Sequence, residues 1–480
     1  MQKKFLTNLF FLLFLNFLIK PFYILGIDAE IINRVGAETY GLYFSLFNFA
    51  FLFNVFLDLG INSFNTRHIA QNEQVFSKYF SNIISLKLVL VAVYILFTLL
   101  AGFLWNYSDE ALKMLFLLSV NQGIAALTLY LRSNLSGAQQ FTKDSLISVL
   151  DRFLMILICL VLFYGNLTEQ HFQIEWFIYA QTVSYFVTFL FALYWVWKRS
   201  KFIRPRLNRL FTLAIFKQSF PFALLVLLMT FYYRSDSVML EKMLPDGREQ
   251  AGFYAQSYRF FEAGNMVAYM FSVLLFPIFS KMIKDKSCLK GLVDMSFKLI
   301  FSGSVIIAIL TYQFGLEILD WRYLDLSPQS ENLFTTLMLC FVFISSTFVF
   351  GTLLTANGNL KQLNILATVA VFVNIALNYI LIPKWQALGS AVASLITQFL
   401  VSVIQIIMCV KIFKFNINLK TYSQFFVFIL GTLILANYAD QFIENWLWAA
   451  LVFFTVAFGF AFVLGMIPIK KMVYVIKNDQ

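Results

Sequence analysis

The sequence predicts an all-α polytopic membrane protein, and three observations support this fold class. Of its 480 residues, 60% are hydrophobic and 13% are charged, against roughly 25% charged residues in soluble domains. The apolar residues form long stretches, each near the ~20 residues that a helix needs to cross a bilayer. Lys and Arg concentrate in alternate loops, as in cytoplasmic segments. This composition excludes a soluble enzyme, a disordered chain and a nucleic-acid-binding domain, despite the net charge of +11.

Fourteen apolar stretches are candidates for transmembrane helices. They are too long for the strands of a barrel and lack the alternation of such strands. A helix also satisfies its backbone hydrogen bonds internally, which hydrocarbon requires. No cleavage signature follows the first stretch, so we interpret it as a retained span. The predicted spans are 5–27, 40–65, 80–105, 111–134, 144–165, 175–198, 214–238, 251–280, 295–316, 332–356, 362–383, 386–410, 421–439 and 446–468.

The charges between these spans predict the orientation. With the N-terminus in the cytoplasm, 25 Lys and Arg fall in inside segments and five in outside loops. Acidic residues show the reverse bias, with sixteen outside and five inside. A miscounted span would invert the pattern from that point onward. We therefore expect about fourteen transmembrane helices with both termini in the cytoplasm.

Scarce residue types argue against catalysis and metal binding. The four cysteines are far apart and form no CxxC pair, and the two histidines are isolated. No phosphate-binding loop, dinucleotide fingerprint or nucleophile elbow occurs. We expect no catalytic residues, no metal and no cofactor, and therefore no enzyme.

The chain divides into two similar halves followed by an extension. Gly41-Leu42-Tyr43 opens span 2, and the similar string Gly252-Phe253-Tyr254 opens span 8. We predict an N-terminal six-helix lobe (1–198), a basic cytoplasmic linker (199–213), a C-terminal six-helix lobe (214–410) and two accessory helices (411–480). Repeated halves are typical of transporters, whose site lies between the repeats.

Three segments resemble a known family. They are Asn33–Tyr43 followed by Asp58–Gly60, Tyr232–Leu240 followed by Ala251–Tyr254, and Asn374–Pro383 followed by Ala387–Ala391. The first resembles the pattern R-x-G-x-E-x-Y-G-x-Y … D-x-G, with Ala37 where the family more often has Pro. These motifs are similar to those of the polysaccharide transporter family, the O-antigen (Wzx-type) flippases, within the multidrug/oligosaccharidyl-lipid/polysaccharide exporter superfamily.

The resemblance implies a structure, a substrate and a location. Two lobes would enclose a central cavity that opens alternately to each side of the bacterial cytoplasmic (inner) membrane. The substrate would be undecaprenyl-diphosphate-linked oligosaccharide for surface polysaccharide such as O-antigen, lipopolysaccharide or capsule. Besides membrane lipids, a polysaccharide polymerase and a chain-length regulator are the candidate partners, and nucleic acid is not.

Once the charges assigned to the loops and span ends are subtracted, ten charged residues remain inside the predicted spans, where each needs water or a partner. We expect substrate contacts from Arg152, Arg234, Arg259, Lys87, Arg34 and Lys20, Arg34 coming from an outside loop. Candidates for ion coupling or charge balance are Asp58, Asp151, Asp236 and Glu262. Lys113 is near a helix end and is expected to extend to the interface. Arg259 and Glu262 are three residues apart and can pair, whereas Arg234 and Asp236 cannot face each other.

The depths of these residues suggest a mechanism. Lys87, Asp151 and Arg152 lie about 10–12 Å from their cytoplasmic ends, and Lys20, Arg234 and Arg259 are expected toward the outer side. Bases at two depths could pass a diphosphate across the membrane, since Arg donates two hydrogen bonds to phosphate.

Three alternatives stay open. The charges could instead form internal ion pairs that only lock helices together. Bases outnumber acids six to four in the spans, which favours an anion over the substrate of a multidrug cation antiporter. A membrane polysaccharide polymerase is the third alternative, and it would usually need a larger outer loop.

Overall fold

Long helices follow one another in the computed structural model, which describes residues 14–62, 65–66, 69, 76–165, 172–200, 209–415 and 419–467. No strand occurs in these residues. The helices are α1 (residues 14–22, continuing as the π-helical stretch Tyr23–Asp28), α2 (Ala29–Leu52), α3 (Val55–Asp58), α4 (Phe76–Leu104), α5 (Asp109–Gly137), α6 (Phe141–Tyr164), α7 (Ile174–Ser200), α8 (Arg209–Met243), α9 (Gly247–Lys284), α10 (Lys290–Arg322), α11 (Ser330–Ala356), α12 (Leu360–Phe413), α13 (Leu419–Phe442) and α14 (Trp446–Val463).

The predicted spans correspond to these helices. Eleven helices in the described part of the chain are long and apolar enough to cross a membrane. One of them, the 54-residue α12, contains both predicted spans 11 and 12. Spans 1 and 2 fall on α1 and α2, although residues 5–13 of span 1 lie outside the described residues. The all-α polytopic membrane class is therefore confirmed.

Two pairs of spans are joined by a single residue with positive φ. Gly36 (φ 79°, ψ 163°) interrupts α2, and Gln386 (φ 52°, ψ −131°) interrupts α12. Both breaks form hairpins, because Tyr40 donates a hydrogen bond back to Asp28 and Ser390 donates one back to Asn378. Our prediction of a loop between residues 28 and 39 is therefore wrong, since helix continues on both sides of Gly36.

The two similar glycine strings contact each other in space. A Cβ atom added at Gly41 would overlap the carbonyl oxygen of Arg248, and one added at Gly252 would overlap that of Ala37. The backbones of α2 and the start of α9 therefore touch directly. Close backbone approach between membrane helices is what small residues permit, so these glycines have a packing role.

The chain forms two compact units, Met1–Ala255 and Gln256–Gln480. In the first unit, α2 packs on α8 and α5, and α7 packs on α5 and α6. In the second unit, α11 packs between α10 and α12, and the paired helices α13 and α14 pack on α10. The division into 1–198, 214–410 and 411–480 stays a prediction. The predicted linker 199–213 falls largely on residues 201–208, which lie outside the described residues.

The contact between α2 and α9 can be tested by adding one methyl group. Gly252→Ala should lower the free energy of unfolding by roughly 1–3 kcal/mol, because the added carbon overlaps a backbone oxygen that cannot rotate away. The matched control is Gly303→Ala, where an added Cβ meets no atom within 4 Å. Thermal unfolding in detergent measures both variants. Equal unfolding temperatures for the two would contradict the proposed contact.

The hairpin turns give a second test that depends on backbone strain alone. Gly36→Ala should destabilise the protein by about 1–3 kcal/mol, since a side chain disfavours this φ and ψ although no atom lies within 4 Å of the new carbon. Gln386→Gly should leave the unfolding temperature unchanged or raise it, because glycine adopts the same region freely. An unfolding temperature that falls as far for Gln386→Gly as for Gly36→Ala would refute this account.

Candidate functional site

Two helix faces in the first unit meet through polar side chains. Asn16 and Lys20 are one turn apart on α1, and Ser148 and Arg152 are one turn apart on α6. The Asn16 amide donates a hydrogen bond of 3.0 Å to the Ser148 hydroxyl, which aligns the two faces. Lys20 consequently lies within electrostatic range of Arg152 and of its neighbour Asp151.

A third base joins this group from α5. Arg132 is also within electrostatic range of Lys20, and its Nε is 2.7 Å from Asp144 Oδ1. We call Lys20, Arg132 and Arg152 the cationic cluster. Three bases from three helices make this part of the unit suited to an anion, and Asp144 and Asp151 offset part of the charge.

Aromatic rings hold the guanidinium group of Arg152. Its Cζ is 4.7 Å from the ring centroid of Tyr23 and 5.7 Å from that of Tyr185. The Asp151 carboxylate is 3.8 Å from Arg152 Nε, too far for a hydrogen bond. Asp151 instead accepts a bond of 2.8 Å from the backbone N–H of Arg152. The rings stabilise the cation through their faces, and the donors of a guanidinium lie along its edge, where an anion can bind.

Lys20 is the least compensated base of the cluster. Among the described residues, no carboxylate lies within 4 Å of its ammonium group and no acceptor receives a hydrogen bond from it. We expected Lys20 toward the outer side, and its position beside Arg152 differs for a simple reason. The turn between spans 1 and 2 is at Gly36, sixteen residues later and thus about 24 Å away along a helix.

Sequence reasoning missed three residues of this region. Arg132 and Asp144 were counted as loop charges because they flank the turn between spans 4 and 5. Asp28 was counted as an outer-loop acid, yet it is 2% exposed and interacts electrostatically with Arg152. The only available signal was that Arg132 and Asp144 also fall just within predicted spans.

A second polar group surrounds Arg234 on α8. Its Nη1 donates to Asn48 Oδ1 at 3.0 Å, and its Cζ is 4.9 Å from the ring centroid of Phe51. The Asn48 amide in turn donates to Ser237 at 2.8 Å. Asp236 has a different partner, as predicted: it is buried and accepts a bond of 2.8 Å from the Tyr254 hydroxyl.

The remaining predicted residues form ion pairs. Lys87 Nζ is 2.7 Å from Asp58 Oδ1, and Arg34 Nε is 3.0 Å from Glu30 Oε1. Arg34 also lies 4.5 Å from the ring centroid of Phe163. In the second unit, the predicted pairing of Arg259 with Glu262 is present, with an N–O distance of 2.6 Å. Among the described residues, no group of three or more His, Cys, Asp or Glu side chains is placed to hold a metal ion.

The fold is similar to that of several solved transporters. Lipid II flippase MurJ in an inward closed conformation superposes with a TM-score of 0.73 at 15% identity, covering 97% of this chain and 99% of that chain. An inward-facing multidrug resistance MATE transporter of the MOP superfamily gives 0.61 at 15% identity, covering 81% and 93%. A MOP superfamily transporter from Pyrococcus furiosus, described by the reverse polarity of its binding pocket, gives 0.57 at 16% identity, covering 84% of this chain and 96% of that chain. At these identities the likeness establishes the fold alone.

Sequence comparison identifies the family. No curated protein matches the chain significantly over its sequence. A family model described as "Polysaccharide biosynthesis protein" matches residues 6–283, which is more than half of the chain. The multi-pass helical fold and this match lead to one conclusion: the chain belongs to the polysaccharide biosynthesis protein family.

Proposed function

We propose that this protein flips undecaprenyl-diphosphate-linked oligosaccharide repeat units across the bacterial cytoplasmic membrane. The observation that carries the proposal is the cationic cluster, in which Lys20 has no carboxylate within 4 Å among the described residues. An ammonium group within electrostatic range of two guanidinium groups, and offset mainly by Asp151, is costly in a membrane unless an anion binds there. Membership of a polysaccharide biosynthesis family makes a lipid-linked glycan the fitting anion.

The chemistry of the cluster suits a diphosphate. Arg152, held between two tyrosine rings, would donate its edge N–H groups to one phosphate. Lys20 would act as a mobile point charge on the other, because an ammonium group has no fixed donor plane. Arg132 is partly neutralised by Asp144 and would add long-range attraction. The polyprenyl tail would remain in the bilayer while the sugars cross through the protein.

Transport requires the anion to be released as well as bound. Arg234 would provide a second phosphate-binding position in the same unit, where its Nη1 donates to the amide oxygen of Asn48 and its Cζ lies over the ring of Phe51. Arg259 and Arg34 keep their proposed roles in substrate contact, although each is paired with a glutamate. Asp151 is the strongest of the four coupling candidates, because neutralising it would change the charge beside both Lys20 and Arg152. Alternating access would then carry the diphosphate from one leaflet to the other.

We propose the inner membrane as the location, with both termini in the cytoplasm, as the Lys and Arg bias predicts. The flipped product would be used on the outer side, for which a polysaccharide polymerase and a chain-length regulator are the proposed partners. The protein itself would need no cofactor and would perform no covalent chemistry.

Removing either of the two leading bases should stop flipping. In liposomes containing a diphosphate-linked oligosaccharide lipid, Lys20→Met and Arg152→Gln should each reduce the initial rate by about tenfold to a hundredfold. This range corresponds to the loss of a charge-assisted hydrogen bond of about 1.5–3 kcal/mol. The rate is measured as the fraction of glycan that becomes accessible to an added glycosidase. Wild-type rates in both variants would refute the phosphate site.

The controls for this assay are matched in residue type. Lys113→Met removes an exposed lysine near the beginning of α5, and Arg322→Gln removes an arginine at the end of α10. Both variants should flip the lipid at the wild-type rate. Their unfolding temperatures, measured beside those of Lys20→Met and Arg152→Gln, separate a lost contact from a lost fold.

Competition with other ligands tests the substrate class. A lipid-linked oligosaccharide with one phosphate should compete about tenfold less well than its diphosphate counterpart, because it offers fewer charge-assisted hydrogen bonds. A hydrophobic cation should not compete. Uptake of the cation by the wild-type protein, with no effect of the diphosphate lipid, would instead indicate a multidrug antiporter.

A further inference from the structure

Span 2 is broken near its end by a short left-handed stretch. The helix α3 ends at Asp58, and Leu59 and Gly60 both have positive φ (47° and 79°). Carbonyl groups at such a helix end have no partner within the helix. In the membrane they need a donor from elsewhere, because no water replaces the missing bond.

Lys87 on α4 supplies that donor. Its ammonium group donates to the carbonyl oxygen of Leu57 at 2.8 Å and to Asp58 Oδ1 at 2.7 Å. The Lys87 side chain is 0% exposed, whereas that of Asp58 is 39% exposed. The ammonium group is thus enclosed by the acceptors of the broken helix and is not presented to a substrate. Either member of such a pair is strongly destabilising when left alone in a buried position.

The segment after the break is held by the same carboxylate. Asp58 Oδ1 also accepts a bond of 3.1 Å from the backbone N–H of Asn62, and Thr66 donates to the carbonyl oxygen of Asn62 at 3.0 Å. The direction of the chain after Gly60 therefore depends on where Lys87 holds Asp58.

This segment packs against the end of α5 that carries Arg132. The Asn65 amide donates to the Ser133 hydroxyl at 2.8 Å, and the Thr66 hydroxyl lies 3.3 Å from the Ser133 carbonyl oxygen. Ser133 directly follows Arg132, whose Nε contacts Asp144. A continuous set of hydrogen bonds thus joins Lys87 to the residue beside one base of the cationic cluster.

We propose that Lys87 is a positioning residue, which fixes the broken end of span 2 through Asp58 and thereby holds Arg132 in the cationic cluster. This inference rests on the proposed function for its effect on transport, but not for its effect on structure. It replaces the direct substrate contact that we expected for Lys87 from the sequence.

Four variants in the full-length protein separate positioning from direct binding. Lys87→Met and Asp58→Asn should each weaken binding of the substrate. In the folded, monodisperse fraction, the apparent KM for the diphosphate lipid should rise about tenfold, as for a lost charge-assisted hydrogen bond. Lys87→Arg should raise the KM similarly, because a guanidinium group is larger than the fully buried ammonium group that it would replace. The double variant Lys87→Met/Asp58→Asn should be less impaired than either single variant, since it leaves no unpaired charge.

A direct phosphate contact predicts a different pattern. Lys87→Arg would then retain transport, Asp58→Asn would bind the substrate as well as or better than the wild type, and the double variant would be as poor as Lys87→Met. That pattern overturns the proposal. Lys113→Met is the matched control and should keep the wild-type KM.

Hydrogen exchange tests the structural part without any transported substrate. Backbone amides of residues 58–62 and 65–66 and of the end of α5 should exchange faster in Lys87→Met than in the wild type or in Lys113→Met. Unchanged exchange in this region would overturn the positioning role. Faster exchange in a protein that does not flip the diphosphate lipid even as wild type would support positioning and reject the proposed function.

Discussion

A charge inside a bilayer must be compensated, and this requirement organises the first unit of the protein. Four bases of its spans show the different degrees to which it is met. Lys87 is buried and donates to a carboxylate and a carbonyl oxygen. Arg132 forms an ion pair with a carboxylate at 2.7 Å. Arg152 is held by tyrosine faces, with its neighbouring carboxylate at 3.8 Å. Lys20 is the least compensated, so the balance of charge itself distinguishes bases that hold the fold from bases that remain available for an anion.

The helical hairpin at Gly36 brings these bases together. Because the turn is one residue long, α1 extends far enough from it for Lys20 to lie beside Arg152. The direct backbone contact between Gly41 and the start of α9 then holds the second arm of the hairpin in place. Asn48, on that same arm, receives the hydrogen bond of Arg234. One packed helix pair therefore supports both polar groups of the first unit.

Much of the fold was predictable from the sequence, because span length and loop charge are local properties. The pairing of Arg259 with Glu262 was predictable for the same reason, since both residues share one helix face. The separate partners of Arg234 and Asp236 also followed from helix geometry. The prediction of a loop before span 2 was wrong, because the positive φ at Gly36 permits a one-residue turn with helix on both sides. Arg132 was missed because its position near a helix end is equally typical of a cytoplasmic flank.

The sequence by itself determined the class of the protein, the approximate positions of its spans and most of the side chains that carry charge within them. These properties depend on the hydropathy of about twenty consecutive residues at a time. Only the tertiary structure decided which charges meet. Lys87 and Asp58 come from different helices, as do Lys20 and Arg152, and their distances depend on how those helices pack. The cost of an uncompensated charge is set by such distances, so the division between structural and available bases emerges only once the helices are assembled.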